Sequence, residues 1–433
     1  MNYLNRLNHV IALSLLAVVL QLLLGSTNVL AQSAEVDLDQ GISRIAFGSC
    51  VHQDHEQPIW KAINIDQPDL FVFLGDNIYG DTEDMTQLQR KYQKLSANAG
   101  FQTLRNQSHV VATWDDHDYG ADDVGADYPQ KEASRQIMLD FWNEPTESAR
   151  RTRKDGIYTA YTYGKPTQRV QLIMLDLRWN RSPLKSVSKA DYLHKKAPKN
   201  MGPYEPITDT SAQLLGETQW QWLTEQLQQP ADLRIIASSV QLLPEFTGWE
   251  SWANFPHERT RLFKLIGQLK VDGVFMISGD THWSEFSRVN DAVGYPLWEA
   301  TSSGLTEEWK AISPNKHRLG VAEHRNNYGL IEINWAAAQP SMTVSIKGQA
   351  GQVLLQNTLR LSDLRHSHNS HNSHNSTGEK KSKYRTRATP NFFGERYGRK
   401  STKKKLQTCS LIISKNPHKL PCAGFLKPLT KTN

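Results

Sequence analysis

The sequence predicts an α/β domain, and three observations carry that expectation. Short apolar runs recur along residues 43–364, each closed by a turn signal. Polar stretches with helical spacing separate them, so strand and helix alternate. The composition is 38% hydrophobic and 9% aromatic with twelve tryptophans, enough large apolar side chains to build a sizeable core.

The elements follow in order. Residues 1–31 read as a signal peptide, with Arg6 as the positive start and an apolar stretch from Ile11 to Leu24 broken only by Ser14 and Gln21. Val29-Leu30-Ala31 offers a cleavage site. The stretch is shorter than the roughly 20 residues a membrane span requires. An exported protein, periplasmic or extracellular, is therefore expected. Residues 32–42 form a short lead, with no room for a separate N-terminal β domain. Strands are expected at Arg44–Gly48, Asp69–Gly75, Val110–Trp114, Val170–Asp176, Leu233–Ser239 and Val274–Gly279, because continuous apolar runs of this length suit strands buried on both faces. Helices are expected over Met85–Leu95, Lys131–Trp142, Gly216–Leu227 and Glu258–Leu269. The alternating segments Leu330–Trp335 and Met342–Ile346 read as antiparallel edge strands.

Residues 365–433 read as a basic, His/Asn/Ser-rich tail. After His366 there are fifteen Lys/Arg against two acidic residues, so the overall net charge of +6 hides a mildly acidic body. Such a composition buries too little apolar surface to offset its ordering entropy, and a disordered, solvated appendage is expected. Loose contact with an anionic envelope surface fits its charge. Export and the acidic body argue against specific nucleic-acid binding. The sequence does not set the oligomeric state. Cys409 and Cys422 lie near each other in the tail, which leaves Cys50 as an odd thiol in an exported chain.

The chemistry-bearing residues sit just past the ends of the apolar runs. Gly48-Ser49-Cys50 follows the first strand, Gly75-Asp76 through Tyr79 and Asp81 the second, Trp114-Asp115-Asp116-His117-Asp118 the third, and Gly279-Asp280-Thr281-His282 the last of the six. Loops at strand C-terminal ends are where open α/β sheets bind ligands. Carboxylates suit hard cations, whereas thiolate, phenolate and imidazole suit a transition metal, so these residue types point to a binuclear or larger metal centre. Two cations clamp a phosphate ester and turn a bound water into a nucleophile that attacks phosphorus in line.

Gly75-Asp76-x-x-Tyr79, Trp114-Asp115-Asp116-His117-Asp118 and Gly279-Asp280-Thr281-His282 resemble the signature blocks of the calcineurin-like metallophosphoesterases. Gly-Ser-Cys at Cys50 and Leu175-Asp176-Leu177-Arg178 resemble the alkaline phosphatase D branch of that superfamily. The resemblance implies two packed mixed β-sheets flanked by helices, a four-layer sandwich, over residues 43–364. It implies Cys50, Asp76, Tyr79 and His282 as ligands of one metal, ferric iron in that branch, with Asp76 bridging. Asp116 and Asp280 then bind a second, calcium or another hard divalent ion. His117 would be the general acid or transition-state stabiliser. Arg178 is either a phosphate contact or an ion-pair partner of Asp176. Gln241 is a candidate substrate contact at a strand end. Asp115 and Asp118 read as turn or supporting residues. Trp249–Arg259, dense in aromatics, reads foremost as a helix start packed on the sheet at Pro256, and otherwise as a pocket wall.

The implied activity is hydrolysis of phosphate mono- or diesters by metal-activated hydroxide. The rival is a non-catalytic metal- or phosphate-binding envelope protein on the same fold, and no ligand position it would lack is missing. The leader departs from the branch, since Arg6 stands alone where a twin arginine is usual.

Overall fold

The computed structural model describes residues 41–366. The signal peptide, most of the lead, Cys409, Cys422 and the tail beyond His366 lie outside the described residues. In chain order the first strands are β1 (Arg44–Gly48), β2 (Leu70–Leu74), β3 (His109–Thr113), β4 (Thr159–Tyr163) and β5 (Val170–Met174). Next come β6 (Lys185–Ser186), β7 (Tyr204–Glu205), β8 (Leu233–Ser238), β9 (Val274–Ser278) and β10 (Ser284–Val289). The last are β11 (Leu297–Ser302), β12 (Arg318–Glu323), β13 (Asn327–Asn334), β14 (Ser341–Gly348) and β15 (Val353–Arg360).

They form a six-stranded sheet ordered β15-β14-β13-β1-β2-β3, a seven-stranded sheet ordered β12-β10-β11-β9-β8-β5-β4, and the β6-β7 pair. Both large sheets are mixed. β1, β2 and β3 are parallel, as are β5, β8, β9 and β11, while antiparallel strands complete each sheet.

Alternation along the strands explains the layering. Ile45, Phe47, Leu70, Val72 and Leu74 join residues of β5, β8 and β9 in one core. The intervening Ala46, Phe71 and Phe73 join the helices Ile59–Asp66, Met85–Ser96, Ala99–Gln107 and Lys131–Phe141 in a second. On the other side, Trp220 and Leu223 of helix Glu217–Leu227 and Leu262 and Ile266 of helix Pro256–Gln268 cover the seven-stranded sheet. The result is helices, sheet, sheet, helices. Helix starts obey local chemistry. Asp84 accepts Thr86 N at 2.9 Å, Asn98 accepts Gly100 N at 2.9 Å, and Pro256 opens its helix with no N–H to satisfy.

One expectation needs correction. β13 and β14 are antiparallel but interior, since β13 pairs with β1 and β14, and β15 covers the outer side of β14. β15 lies inside the expected 43–364 domain but carries no strand expectation, because its mostly exposed, partly polar positions hide the pattern. Among the described residues no helix is long and apolar enough to cross a membrane.

Candidate metal centre

Parallel pairing brings the ends of β1, β2 and β3 side by side, and the end of β9 meets them from the facing sheet. The backbone turns sharply there. Cys50, Asp76, Asp280 and His282 have φ of 65°, 49°, 72° and 60°, left-handed values that cost a non-glycine residue on the order of 1–3 kcal/mol. Hydrogen bonds hold each turn. Val51 N donates to Asp76 O at 2.8 Å, Gly279 N to Ser239 O at 3.0 Å, and His282 N to Ser303 Oγ at 2.8 Å. Gly75 lets the β2 and β3 loops touch, because a Cβ there would lie 2.5 Å from Asp115 Cβ. Asp118 ties the same loops together. Its carboxylate accepts Asp76 N at 3.2 Å, Asp115 N at 2.7 Å and Asn77 Nδ2 at 2.5 Å.

These turns converge. One donor atom each of Cys50, Asp76 and His282 lie within 4.8 Å of one another, and so do those of Asp76, Asp116 and His117, and of Asp115, Asp116 and Asp280. Tyr79 joins the first group, its hydroxyl 2.9 Å from His282 Nε2. The Cys50 thiol, the Tyr79 phenol and the His282 imidazole therefore share one group at Asp76, and Asp116 with the His117 imidazole shares another.

The electrostatics fit a cation. Burial, then the neighbouring Asp116 charge, pushes the Asp76 carboxyl well above its usual range. Burial and Asp76 raise the Cys50 thiol, and burial with the Cys50 and Asp76 charges raises the Tyr79 phenol. Burial lowers His282 to about 4. Asp115 is pushed up to about 7, again chiefly by burial. Asp116 differs, since its burial, the largest single effect, is overcome by His117, Arg178 and hydrogen bonds from Asp123 N and Asp76 together, which hold it low. Crowded, desolvated acids favour their protonated forms, and a bound cation reverses that preference. The buried Asp115 Oδ2 and Asp116 Oδ1 accept no hydrogen bond from the protein. This donor set and these open oxygens fit a metal pair.

Supporting residues surround the cluster. His117 Nδ1 pairs with Asp81 Oδ1 at 2.7 Å, and its ring lies 4.3 Å from that of Tyr79. Arg178 is fully buried. Its Nε donates to Asp115 Oδ1 at 2.6 Å, its Nη1 pairs with Glu250 Oε2 at 2.6 Å, and its Nη2 lies 3.6 Å from Asp116 Oδ1. Asp176, the alternative ion-pair partner, instead accepts the backbone N–H groups of Arg178 and Trp179. Gln241 is fully buried, and its amide donates to Glu285 Oε1 at 2.8 Å and Thr301 Oγ1 at 3.1 Å. Pro256 does start a helix, as the packing reading of Trp249–Arg259 expects.

Several participants escaped the sequence reading. Glu250 pairs with Arg178 and with Arg181 Nε at 2.9 Å, and it clusters with Asp116 and Asp123. Tyr204 O–H donates to Asp123, and Ser239 Oγ donates to Asp115 Oδ1 at 2.6 Å. Asp81 alone carried a legible signal, as the last residue of the Gly-Asp block after β2.

The PhoD-like phosphatase family model matches residues 45–360. Comparison with curated protein sequences gives no match. Among solved structures, one described as the structure of PhoD aligns with a TM-score of 0.58 at 16% identity, covering 76% of this chain and 69% of that one. A dimetal phosphatase from Danio rerio aligns with a TM-score of 0.46 at 15% identity over 74% of this chain and 100% of that one. GAP50, the anchor in the inner membrane complex of Plasmodium, gives 0.45 at 12% identity over 74% and 89%. The family match spans the whole β1–β15 body, including every loop of the metal-fitting cluster. The chain belongs to the PhoD-like phosphatase family, and it is a metal-dependent phosphoester hydrolase.

Proposed function

We propose that the protein is exported and hydrolyses phosphate mono- or diesters at a mixed metal pair. The observation that carries this reading is the position of Asp76, shared between the Cys50–His282 group and the Asp116–His117 group. Cys50, Asp76, Tyr79 and His282 would hold ferric iron, because thiolate and phenolate favour that ion. Asp76, Asp116 and Asp280 would hold calcium or another hard divalent cation. When bound, the metals supply Lewis-acid polarisation of the phosphoryl group and a nucleophile from water at neutral pH.

The chain's own residues do the rest. Asp81 fixes the His117 ring through Nδ1, which orients it to donate a proton to the departing alkoxide or to stabilise the charged transition state. Arg178, buried and bound to three carboxylates, holds Asp115, Asp116 and Glu250 in place and is assigned to them rather than to the ester. Gln241, engaged with Glu285 and Thr301, is assigned no substrate contact. Residues 1–31 support export, and the basic tail would touch anionic envelope surfaces loosely.

The test is hydrolysis of a chromogenic monoester and a chromogenic diester by the purified chain with calcium and iron, beside Asp76→Asn. Loss of turnover by at least about a hundredfold in the variant is expected, and the faster ester identifies the substrate class. A folded, metal-loaded wild type that turns over neither ester would return the function to metal or phosphate binding alone.

A further inference from the structure

We propose that Trp249 and Trp309 form the wall that receives the alcohol portion of the ester, and that this wall selects esters of flat, unsaturated rings. The inference rests on the phosphoesterase reading above and names the substrate class for that site.

Two loops, one bonded to the β9 turn and one carrying Glu250, meet in this ring pair. Trp309 is tied to the β9 loop, because its backbone N–H donates to the His282 carbonyl at 2.9 Å. Trp249 precedes Glu250, whose carboxylate clusters with Asp116 and Asp123. The two rings stand edge to face, with centroids 5.6 Å apart and planes at 81°. Edge-to-face packing leaves the face of one indole open to a third ring.

Burial separates these two from their neighbours. Trp114, Trp252 and Trp283 are fully buried and belong to the core, whereas Trp249 and Trp309 are both half-buried. Large aromatic surface left partly in water beside a phosphoryl site marks a place for an apolar part of the substrate. The two indoles are also held differently. Trp309 Nε1 donates to Ala311 O at 3.1 Å, which pins its plane. Trp249 Nε1 has no acceptor in the protein, and its indole leans on Gly202, where a Cβ would lie 2.5 Å from Trp249 Cδ2. A pinned wall and a wall held by packing alone suit rings of differing size.

The test separates binding from turnover. Phenylphosphonate and methylphosphonate carry the same anionic group on a C–P bond that this hydrolysis does not cleave, so calorimetric titration of the metal-loaded full chain reads the subsite alone. The wild type is expected to bind phenylphosphonate about five- to a hundredfold tighter than methylphosphonate, the range of one ring stacked on an aromatic side chain. Trp309→Ala and Trp249→Leu, checked for folding by near-UV circular dichroism, should bring that ratio towards one. Trp309→Phe should keep most of it. A wild type with no ring preference overturns the proposal, as does an unchanged ratio in either folded variant or a parallel weakening of both ligands. A protein that shows the preference but hydrolyses no ester keeps the subsite and loses the phosphoesterase reading.

Discussion

Removing the Arg178 guanidinium should destabilise this protein more than most single substitutions. Arg178→Met keeps the length of the side chain and deletes the charge. The guanidinium reaches Asp115 and Glu250 at 2.6 Å and Asp116 at 3.6 Å, and arginine and carboxylates alike are buried. Breaking a buried ion pair by removing one partner costs about 3–5 kcal/mol, because the other charge is left desolvated. Asp115 loses its cationic partner outright, whereas Glu250 keeps Arg181, so the expectation stays within that range. At no more than about 2–4 °C of melting temperature per kcal/mol, the value for smaller domains of about 150–250 residues, the shift is at most about 6–20 °C downward. Arg178→Lys keeps a charge but loses the planar fork, and should recover only part of the loss. Adding Glu250→Gln to Arg178→Met removes one stranded charge, so the double variant should be more stable than the single. A cation bound at Asp116 and Asp280 should shrink the cost, since Asp115 lies in the same cluster and feels its charge. Urea unfolding with and without metal measures all four quantities. A loss below about 1 kcal/mol for Arg178→Met in metal-free protein would refute this account of the network.

Three other outcomes follow from the site. Asp81→Asn should lower kcat by about 10²- to 10⁴-fold with little change in KM, because His117 loses the carboxylate that orients its ring; an equal kcat would detach Asp81 from the chemistry. Stripping the metals with a chelator should lower stability by about 2.7 kcal/mol for each site relative to protein held at a hundredfold excess over Kd, and calorimetry that sees no change would remove the metals from the folded state. Gly279→Ala places a Cβ 2.4 Å from Ser49 Oγ, and should cost about 1–3 kcal/mol by overpacking two ligand loops at once. Combining it with Ser49→Ala should return part of that loss, and purely additive melting temperatures would deny the contact.

The centre was legible where its causes are local. Each candidate ligand follows an apolar run and a turn, and the run both forms the strand and ends where the side chain must turn inward. Cys50, Asp76, Asp116, His117, Asp280 and His282 could be read this way because strand, turn and donor are consecutive. Arg178 could be flagged but its partner could not. Its charge finds Glu250 and Asp115 from other segments, and only the packing of those segments brings them together. Gln241 marks the opposite limit. Its strand end was read correctly, yet its amide turns to Glu285 of β10 and Thr301 of β11. Those strands carry buried Glu285, Ser287 and Glu299, polar residues that break the apolar pattern by which a strand is recognised.

The same contrast explains how the fold sustains a strained, acidic centre. Left-handed backbone at Cys50, Asp76, Asp280 and His282 disfavours the folded state at each position, and so does crowding carboxylates out of water. Neither cost is offset at the site alone. β2 and β9 are buried along their whole length and β1 from Ile45 onward, and that apolar burial fixes the ends from which the turns depart. Asp118 then binds the β2 and β3 turns to each other, Ser49 bonds to both Cys50 Sγ and Asp280 N, and Ser303 reaches Cys50 Sγ and His282 N. Through Asp118, Ser49 and Ser303 these links join the loops that carry the candidate ligands, so Cys50, Asp76, Asp280 and His282 cannot relax without disturbing a neighbour. Sheet ends and polar links thus fix the shape of the centre from outside the cluster, and charge balance is what the crowded carboxylates still need.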